Sequence, residues 1–112
     1  MGTFSKLPEF TKELKKLSRK YPSLESDIED IKPILSESPT GIGKNFTIIK
    51  TTDRVKIIKA RIHCESLRSR AVRLIYSYCE SEIKFLFIEI YHKGNKENED
   101  RERIKEYLKS IG

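Results

Sequence analysis

Alternating apolar and polar positions dominate the chain between residues 54 and 93. Three segments there are rich in Ile, Val, Tyr and Phe, residue types that favour a pleated, half-buried surface: VKIIKARIH (55–63), AVRLIYSY (71–78) and EIKFLFIEIYHK (82–93). Short polar segments separate them, and short connections join strands that run antiparallel. The pattern therefore predicts a three-stranded antiparallel meander.

The first of these strands carries chemically different side chains on its two faces. Three basic residues alternate along it with three apolar ones, Lys59, Arg61 and His63 with Ile58, Ala60 and Ile62. Because successive side chains leave opposite faces of a strand, one face of the sheet is cationic and the other apolar. The pattern predicts a sheet covered by helices on one side and open on the other. The alternative is a solvated outer face, where most strand lysines lie.

Two apolar stripes at helical spacing precede the sheet. The first is formed by Phe10, Leu14, Leu17 and Tyr21, and the second by Leu24, Ile28, Ile31 and Leu35. Pro8 suits a first helical position. Ser23 is the predicted cap of the second helix, and Pro33 predicts a kink or an end of that helix near Ile31. We therefore expect an αα-hairpin that covers one face of the sheet.

Weaker patterns at both ends of the chain complete the predicted fold. Residues 3–6 form a candidate edge strand, and FTIIK (46–50) is a candidate extra strand in the otherwise loop-like segment 36–53. Asn98 is the predicted cap of a last helix within EDRERIKEYLKSI, which needs a partner surface on the sheet or on another protein. The expected fold class is α+β: two N-terminal helices on one face of a twisted antiparallel sheet, formed by the meander and a short N-terminal edge strand, with a C-terminal helix.

The length of 112 residues predicts a single domain over residues 1–112. No apolar run approaches the roughly 20 residues that span a membrane, and the N-terminal segment has no signal-peptide core. Cys64 and Cys79 fall near opposite ends of the predicted hairpin, too far apart to bridge, which favours reduced thiols and a cytoplasmic location. Neither cysteine belongs to a metal-ligand spacing, so we expect no metal and no small-molecule cofactor.

Positive charge is concentrated in one part of the chain. The formal net charge is +6, from 23 basic and 17 acidic residues. Residues 41–75 hold nine Lys/Arg and two Asp/Glu, a net of +7, so the remainder has a net of −1. Concentrated positive charge indicates a partner that is rich in phosphate or in acidic side chains.

Several short motifs, taken in order over residues 4–108, resemble the RelE/ParE superfamily of bacterial and archaeal toxins, on the RelE and HigB side. They are F-x-K-E-L-K-K-L at 10–17, Lys-Tyr-Pro-Ser at 20–23, Lys-Ala-Arg at 59–61, Arg-Leu-Ile-Tyr at 73–76 and Ile-Tyr-His-Lys at 90–93. The resemblance implies a twisted antiparallel sheet with two helices on one face, which agrees with the pattern above.

The resemblance also implies a function, which is that of the toxin in a two-gene toxin–antitoxin pair. Such toxins typically enter the ribosomal A site and cut the mRNA there without metal, so the implied partners are the ribosome and mRNA. A cognate antitoxin with an acidic or partly disordered segment is the other implied partner, and no membrane is involved. The alternative is a non-catalytic inhibitor or binding module of the same fold, such as a ParE-like gyrase poison.

Metal-free RNA cleavage needs three groups around one phosphate. A base takes the 2′ proton, a cation stabilises charge on the phosphorane, and an acid protonates the leaving 5′ oxygen. Candidates for chemistry, from the motifs and their residue types, are Arg73, Lys59, Arg61, Tyr91, His92 and Lys93. Candidates for RNA contact are Lys56, His63, Arg68 and Arg70. Lysines packed among cations have a lowered pKa, which predicts a lysine as one possible base.

Each candidate also has an ordinary structural interpretation. Arg73 as an inward strand residue is able to pair with a carboxylate such as Glu89, and the hairpin arginines fit a solvated turn. Tyr91 fits a half-buried strand position as well as it fits base stacking. Tyr91 and His92 alternate faces unless a bulge intervenes, so both are not expected in one site.

Overall fold

The central sheet has five strands, β1 (Thr3–Lys6), β2 (Phe46–Thr51), β3 (Lys56–Cys64), β4 (Ser69–Cys79) and β5 (Lys84–His92), in a computed structural model that describes residues 2–112. The order across the sheet is β1-β5-β4-β3-β2. Strands β3, β4 and β5 form the predicted antiparallel meander. The candidate strand FTIIK is confirmed as β2, an edge strand antiparallel to β3.

The expectation of a wholly antiparallel sheet is wrong at one edge. Strand β1 runs parallel to β5, with Thr3 opposite Lys84 and Lys6 opposite Phe87. Short connections force antiparallel pairing only between strands that are neighbours in sequence. Most of the chain lies between β1 and β5, so no turn sets their relative direction, and the sheet is mixed.

Three helices accompany the sheet: α1 (Pro8–Lys20), α2 (Leu24–Glu37) and α3 (Arg101–Ile111). The predicted αα-hairpin is confirmed, but α2 does not end near Ile31 and continues through Pro33. Ile31 and Leu35 are both buried against the sheet, whereas Pro33 and Glu29 are exposed. The carbonyl that Pro33 leaves without an amide partner therefore lies on the solvent side, where water satisfies it, while packing holds the buried side.

The predicted caps differ in detail from the observed ones. Ser23 occupies the cap position of α2, but its hydroxyl donates to Asp27 Oδ2 at 2.7 Å and accepts from Ser66 N at 2.8 Å. The hydroxyl thus ties α2 to the β3–β4 turn. At α3 the cap is Asp100 rather than Asn98, because the Asp100 side chain accepts from Arg103 N at 3.0 Å.

Apolar side chains fill both faces of the sheet. The hairpin of α1 and α2 covers a core that includes Phe10, Leu24, Leu35, Ile58, Leu74, Tyr76, Phe87 and Ile90. On the opposite face, α3 covers a smaller cluster that includes Ile57, Ile75, Ile88 and Ile104. The prediction that this second face is open is therefore wrong for the half beneath α3 and holds only for the other half. The partner surface that α3 needs is the sheet itself.

Part of the β5 edge is closed by side chains instead of a strand. Beyond Phe87, where β1 ends its pairing, Arg103 Nη1 donates to Ile88 O at 2.9 Å. The Arg103 guanidinium also donates to both oxygens of Glu13, at 2.9 and 2.8 Å, and Ile90 N donates to Glu13 Oε1 at 3.4 Å. Glu13 and Arg103 thus link α1 to α3 across the edge and cover the exposed amide and carbonyl groups that invite pairing with another chain. No helix among residues 2–112 is long and apolar enough to cross a bilayer.

We expect Arg103→Met to lower the free energy of unfolding by about 1.5–3 kcal/mol, because it removes charge-assisted hydrogen bonds from a largely buried site. Urea unfolding followed by far-UV circular dichroism measures the change. Glu29→Gln is the matched control, since it breaks the exposed Glu29–Lys32 pair and costs under about 1 kcal/mol. Equal effects from the two variants would contradict the role assigned to this link.

Candidate functional site

A basic cleft of about 510 Å³ lies on the uncovered half of the sheet face that carries α3. Its walls come from β2, β3, β4 and the connection between β5 and α3, residues 93–100, which we call the strap. Five basic side chains line this basic cleft: Lys59, Arg61, Arg73, Lys93 and Arg101. The acidic side chains on its wall are Glu97 and Glu99. The structure therefore brings together four of the six residues predicted for chemistry and adds Arg101.

Strand register places the cationic groups in a row. Lys59 lies opposite Ile75, and Arg61 lies opposite Arg73. Lys93 N donates to Ala71 O at 2.9 Å, just past the end of β5. Positions 75, 73 and 71 of β4 share one face and are spaced by about 7 Å. The Arg61–Arg73 pair is therefore flanked by Lys59 on one side and Lys93 on the other.

Within residues 2–112 the Arg61–Arg73 pair has no acidic partner. Neither guanidinium forms an ion pair with a carboxylate of residues 2–112. Arg73 Nη1 donates instead to Arg70 O at 2.6 Å. Burial and then the charge of Arg61 lower the pKa of Arg73. Like charges directly opposite each other destabilise a sheet, so this position favours an anion from outside the chain.

Lys59 is held by a carboxylate that the sequence patterns did not connect with it. Its Nζ donates to Glu99 Oε1 at 3.0 Å, and Arg101 Nε lies 3.7 Å from the other Glu99 oxygen. Burial lowers the pKa of Lys59, but the hydrogen bond to Glu99 and the nearby Tyr91 hydroxyl outweigh it, so the pKa is raised. The expectation of a lowered lysine pKa is therefore wrong for Lys59, because an acidic group sits among the cations.

Glu99 is 11% exposed and lies against the cationic wall. Burial raises the pKa of its carboxyl, but hydrogen bonds from its own backbone amide and from Lys59, with the charges of Lys59 and Arg101, bring the net pKa below its usual value. The carboxyl is therefore ionised at neutral pH. Glu99 looked like an ordinary acidic residue near a helix N-terminus, and only the path of the strap over the sheet reveals its position.

A second carboxylate anchors the strap from below. Glu89 on β5 is 1% exposed, accepts from Asp100 N at 2.7 Å and forms an ion pair with Lys96. The alternative pairing of Arg73 with Glu89 is therefore wrong, because both Glu89 oxygens are engaged by the strap. A buried charge with these partners holds the strap over the basic cleft and fixes where Glu99 lies.

Tyr91 occupies the small cluster beneath α3. It is 6% exposed, and Lys96 Nζ lies 5.5 Å from the centre of its ring. Burial raises the pKa of Tyr91, an effect that Lys59 partly offsets, and the buried hydroxyl has no hydrogen-bond partner of normal geometry within residues 2–112. The proposed stacking of Tyr91 on a base is therefore wrong, since its ring is part of the core.

Neither histidine lines the basic cleft. His92 lies on the α1 side of the sheet, where its ring stacks on Tyr21 with centroids 5.7 Å apart and its Nδ1 accepts from Gly94 N. The expected alternation of Tyr91 and His92 between faces is confirmed, so His92 cannot share a site with Arg73. His63 is exposed at the end of β3 and contacts Glu65 at 3.0 Å.

Lys56 and the hairpin arginines lie outside the basic cleft. Lys56 is at the far end of β3, opposite Tyr78 and away from the basic cleft, and its contact with RNA stays a prediction. Arg70 Nη1 donates to Arg61 O at 3.2 Å, so Arg70 borders the basic cleft. Arg68 is in the turn with a φ of 50°. The turn is anchored to α2 through Ser66 and extends the basic surface.

No group of three or more His, Cys, Asp or Glu side chains within residues 2–112 is arranged to hold a metal ion. Cys64 is buried and Cys79 is partly exposed, and both are free.

The fold has relatives among solved structures, although no protein-family model and no curated protein sequence matches the chain. An archaeal RelE–RelB complex from Pyrococcus horikoshii OT3 contains a chain that matches with a TM-score of 0.63 at 15% identity, over 83% of this chain and 96% of that one. A metal-bound toxin from Helicobacter pylori matches with a TM-score of 0.61 at 14% identity, over 86% of this chain and 99% of that one. The chain therefore has the fold of the RelE-like toxins.

Proposed function

We propose that this protein is the toxin of a toxin–antitoxin pair and that its basic cleft cleaves mRNA in the ribosomal A site by attack of a ribose 2′-OH. The observation that carries the proposal is the Arg61–Arg73 pair, two opposed guanidinium groups without an acidic partner in the described chain. Guanidinium forks match the geometry of phosphate oxygens, and a phosphorane carries more negative charge than the phosphate from which it forms. Such a pair favours the transition state over the ground state.

The surroundings of the basic cleft suit an mRNA substrate that is held by the ribosome. Arg70 and Arg68 extend positive charge beyond its border, where the phosphates of ribosomal RNA offer a partner. The Arg61–Arg73 pair sits on a strand pair, and rigid elements hold catalytic groups more precisely than loops do. A protein of this size positions only a short RNA segment, so presentation by the ribosome supplies the remaining orientation.

An antitoxin fits the same surface for an electrostatic reason. The excess positive charge of residues 41–75 attracts an acidic, partly disordered chain that becomes ordered on binding. The structural relative from Pyrococcus horikoshii belongs to a complex of RelE with RelB. Carboxylates of an antitoxin placed against Arg61 and Arg73 relieve the repulsion between the two guanidinium groups and exclude RNA phosphate at the same time.

Removing one of the opposed charges is expected to stabilise the free protein. Arg61→Gln relieves the repulsion and raises the free energy of unfolding by about 0.2–1 kcal/mol at low ionic strength. The gain shrinks in 1 M salt, where the screening length falls to about 3 Å. Urea unfolding at both salt concentrations measures it. Lys12→Gln on the exposed side of α1 is the matched control and shows no such gain. A loss of stability in Arg61→Gln at low salt would contradict an unpaired cation pair.

The enzymatic proposal is tested on ribosomes programmed with a defined mRNA. Wild-type protein is expected to produce cuts in the A-site codon, detected by primer extension. Arg73→Met is expected to lower the cleavage rate constant by about 10²- to 10³-fold, as loss of a donor at a developing charge does. Arg19→Met on α1, an exposed arginine outside the basic cleft, is the control and retains activity.

Two results of that experiment would overturn the proposal. One is equal cutting by wild type and Arg73→Met. The other is intact mRNA together with protein-dependent DNA breaks in a parallel gyrase assay, which would assign the fold to a non-catalytic poison instead.

A further inference from the structure

The reaction proposed above needs a proton acceptor, and the structure removes the usual ones from the basic cleft. His92 lies on the other face of the sheet, and His63 is exposed and paired with Glu65. Lys59 donates a hydrogen bond to a carboxylate and is held as an ammonium. Tyr91 is buried in the core beneath α3. Arginine remains protonated in proteins and accepts no proton.

We propose that Glu99 is the general base that takes the proton from the attacking ribose 2′-OH. The assignment rests on the proposed function and adds a catalytic residue to it. Among the described residues, the Glu99 carboxylate meets two conditions for a base in the basic cleft. One oxygen is fixed by Lys59 Nζ at 3.0 Å, and the other has a cation, Arg101 Nε, no closer than 3.7 Å. That second oxygen accepts no hydrogen bond from another side chain of residues 2–112. Glu97, the other acidic side chain on the wall, is exposed and forms no ion pair with residues 2–112 that would fix its position.

Two anchors fix the position of Glu99. Lys59 holds the carboxylate directly, and Glu89 holds the adjoining backbone through Asp100 N at 2.7 Å. The Glu89 side chain is 1% exposed, so this second anchor is part of the core. A base must lie within hydrogen-bond reach of the proton it removes, and a carboxylate anchored twice satisfies that requirement better than a mobile surface side chain.

The row of charged groups fits in-line attack on a phosphate bound at the Arg61–Arg73 pair. Glu99 and Lys59 lie on one side of that pair, at the level of Ile75, and Lys93 lies on the other side, at the level of Ala71. In-line displacement puts the attacking and leaving oxygens on opposite sides of phosphorus. The donor to the leaving group must therefore lie away from Glu99, which favours the Lys93 ammonium and makes Lys59 a positioning residue.

The step balances in protons and electron pairs. Glu99 takes the 2′ proton as the 2′ oxygen forms a bond to phosphorus, and the bond between phosphorus and the 5′ oxygen breaks. The 5′ oxygen takes a proton from Lys93, so the products are a 2′,3′-cyclic phosphate and a 5′-OH. Glu99 then carries one extra proton and Lys93 lacks one. Exchange with solvent restores both, since Lys93 is exposed. The lowered pKa of Glu99 agrees with a base that is ionised before substrate arrives.

Glu99→Gln tests the assignment because the amide oxygen still accepts a hydrogen bond from Lys59 but no longer takes a proton. In single-turnover cleavage on programmed ribosomes, we expect a loss of about 10²- to 10⁴-fold in the rate constant with ribosome affinity unchanged. The wild-type rate falls at acidic pH as Glu99 protonates, and because the pKa of Glu99 is lowered, this fall occurs at a pH below the usual carboxyl pKa. Glu99→Gln lacks this fall. Glu102→Gln, an exposed glutamate in the first turn of α3, is the matched control and behaves as wild type.

A substrate with sulfur at the bridging 5′ position separates base from acid, since a thiolate leaves without protonation. Glu99→Gln stays slow on this substrate, whereas Lys93→Met is restored towards the wild-type rate. Restoration of Glu99→Gln by sulfur, or wild-type cutting by Glu99→Gln on the normal substrate, overturns the assignment while leaving the proposed function intact. Failure of wild type to cut at all overturns both. If Glu99→Gln unfolds at a lower temperature than wild type, Glu99→Asp, which keeps the charge, must recover the acidic fall in rate or the assignment is lost.

Discussion

The opposition of Arg61 and Arg73 across β3 and β4 is the constraint on which the rest of this structure depends. Two guanidinium groups on facing positions of one sheet face repel each other, and in the described chain no carboxylate neutralises them. A sheet tolerates that cost only where other interactions determine the register. Here the register is set by the core on the opposite face, where Ile58, Leu74 and Tyr76 are fully buried. Packing of the α1–α2 hairpin therefore stabilises the sheet that the cation pair destabilises. Local destabilisation that is offset by packing elsewhere is typical of functional sites.

The sheet face that carries α3 has two halves, one packed beneath the helix and one open as the basic cleft. Its apolar half is covered by Ile104 and its neighbours, and its cationic half is left open beneath the strap. Two glutamates join these halves at different depths. Glu89 is buried and fixes the strap, whereas Glu99 reaches into the basic cleft and is held by Lys59. A single connection thus links the stability of α3 to the geometry of the charged groups, so the C-terminal helix positions the site as well as covering the sheet.

Periodicity in the sequence was enough to predict most of the fold and the cations at the centre of the site. The meander and the helical hairpin follow from local patterns, and the alternation of Lys59, Arg61 and their apolar neighbours is enough to place the cations on one face. Contacts between segments that are far apart in the sequence could not be predicted in this way. Nothing local indicates that β1 pairs in parallel with β5, that Pro33 lies on a solvated helix face, or that α3 returns over the cationic side. Glu99 was missed for the same reason, because its place in the basic cleft depends on where the strap passes and not on its neighbours in sequence.

Lys59 and Glu99 keep their charges across the physiological range. A carboxyl with a lowered pKa contributes stability above its unfolded pKa of about 4.5, and this contribution is lost as the pH falls through the folded pKa. A lysine with a raised pKa contributes stability below about 10.5, and this contribution is lost as the pH rises through the folded pKa. The Lys59–Glu99 pair is therefore complete between these limits, and arginine stays charged throughout. A site built in this way needs no histidine at its centre, and both histidines of the chain lie outside it. The ionisation of the Lys59–Glu99 pair is therefore set by the fold and not by small changes in pH.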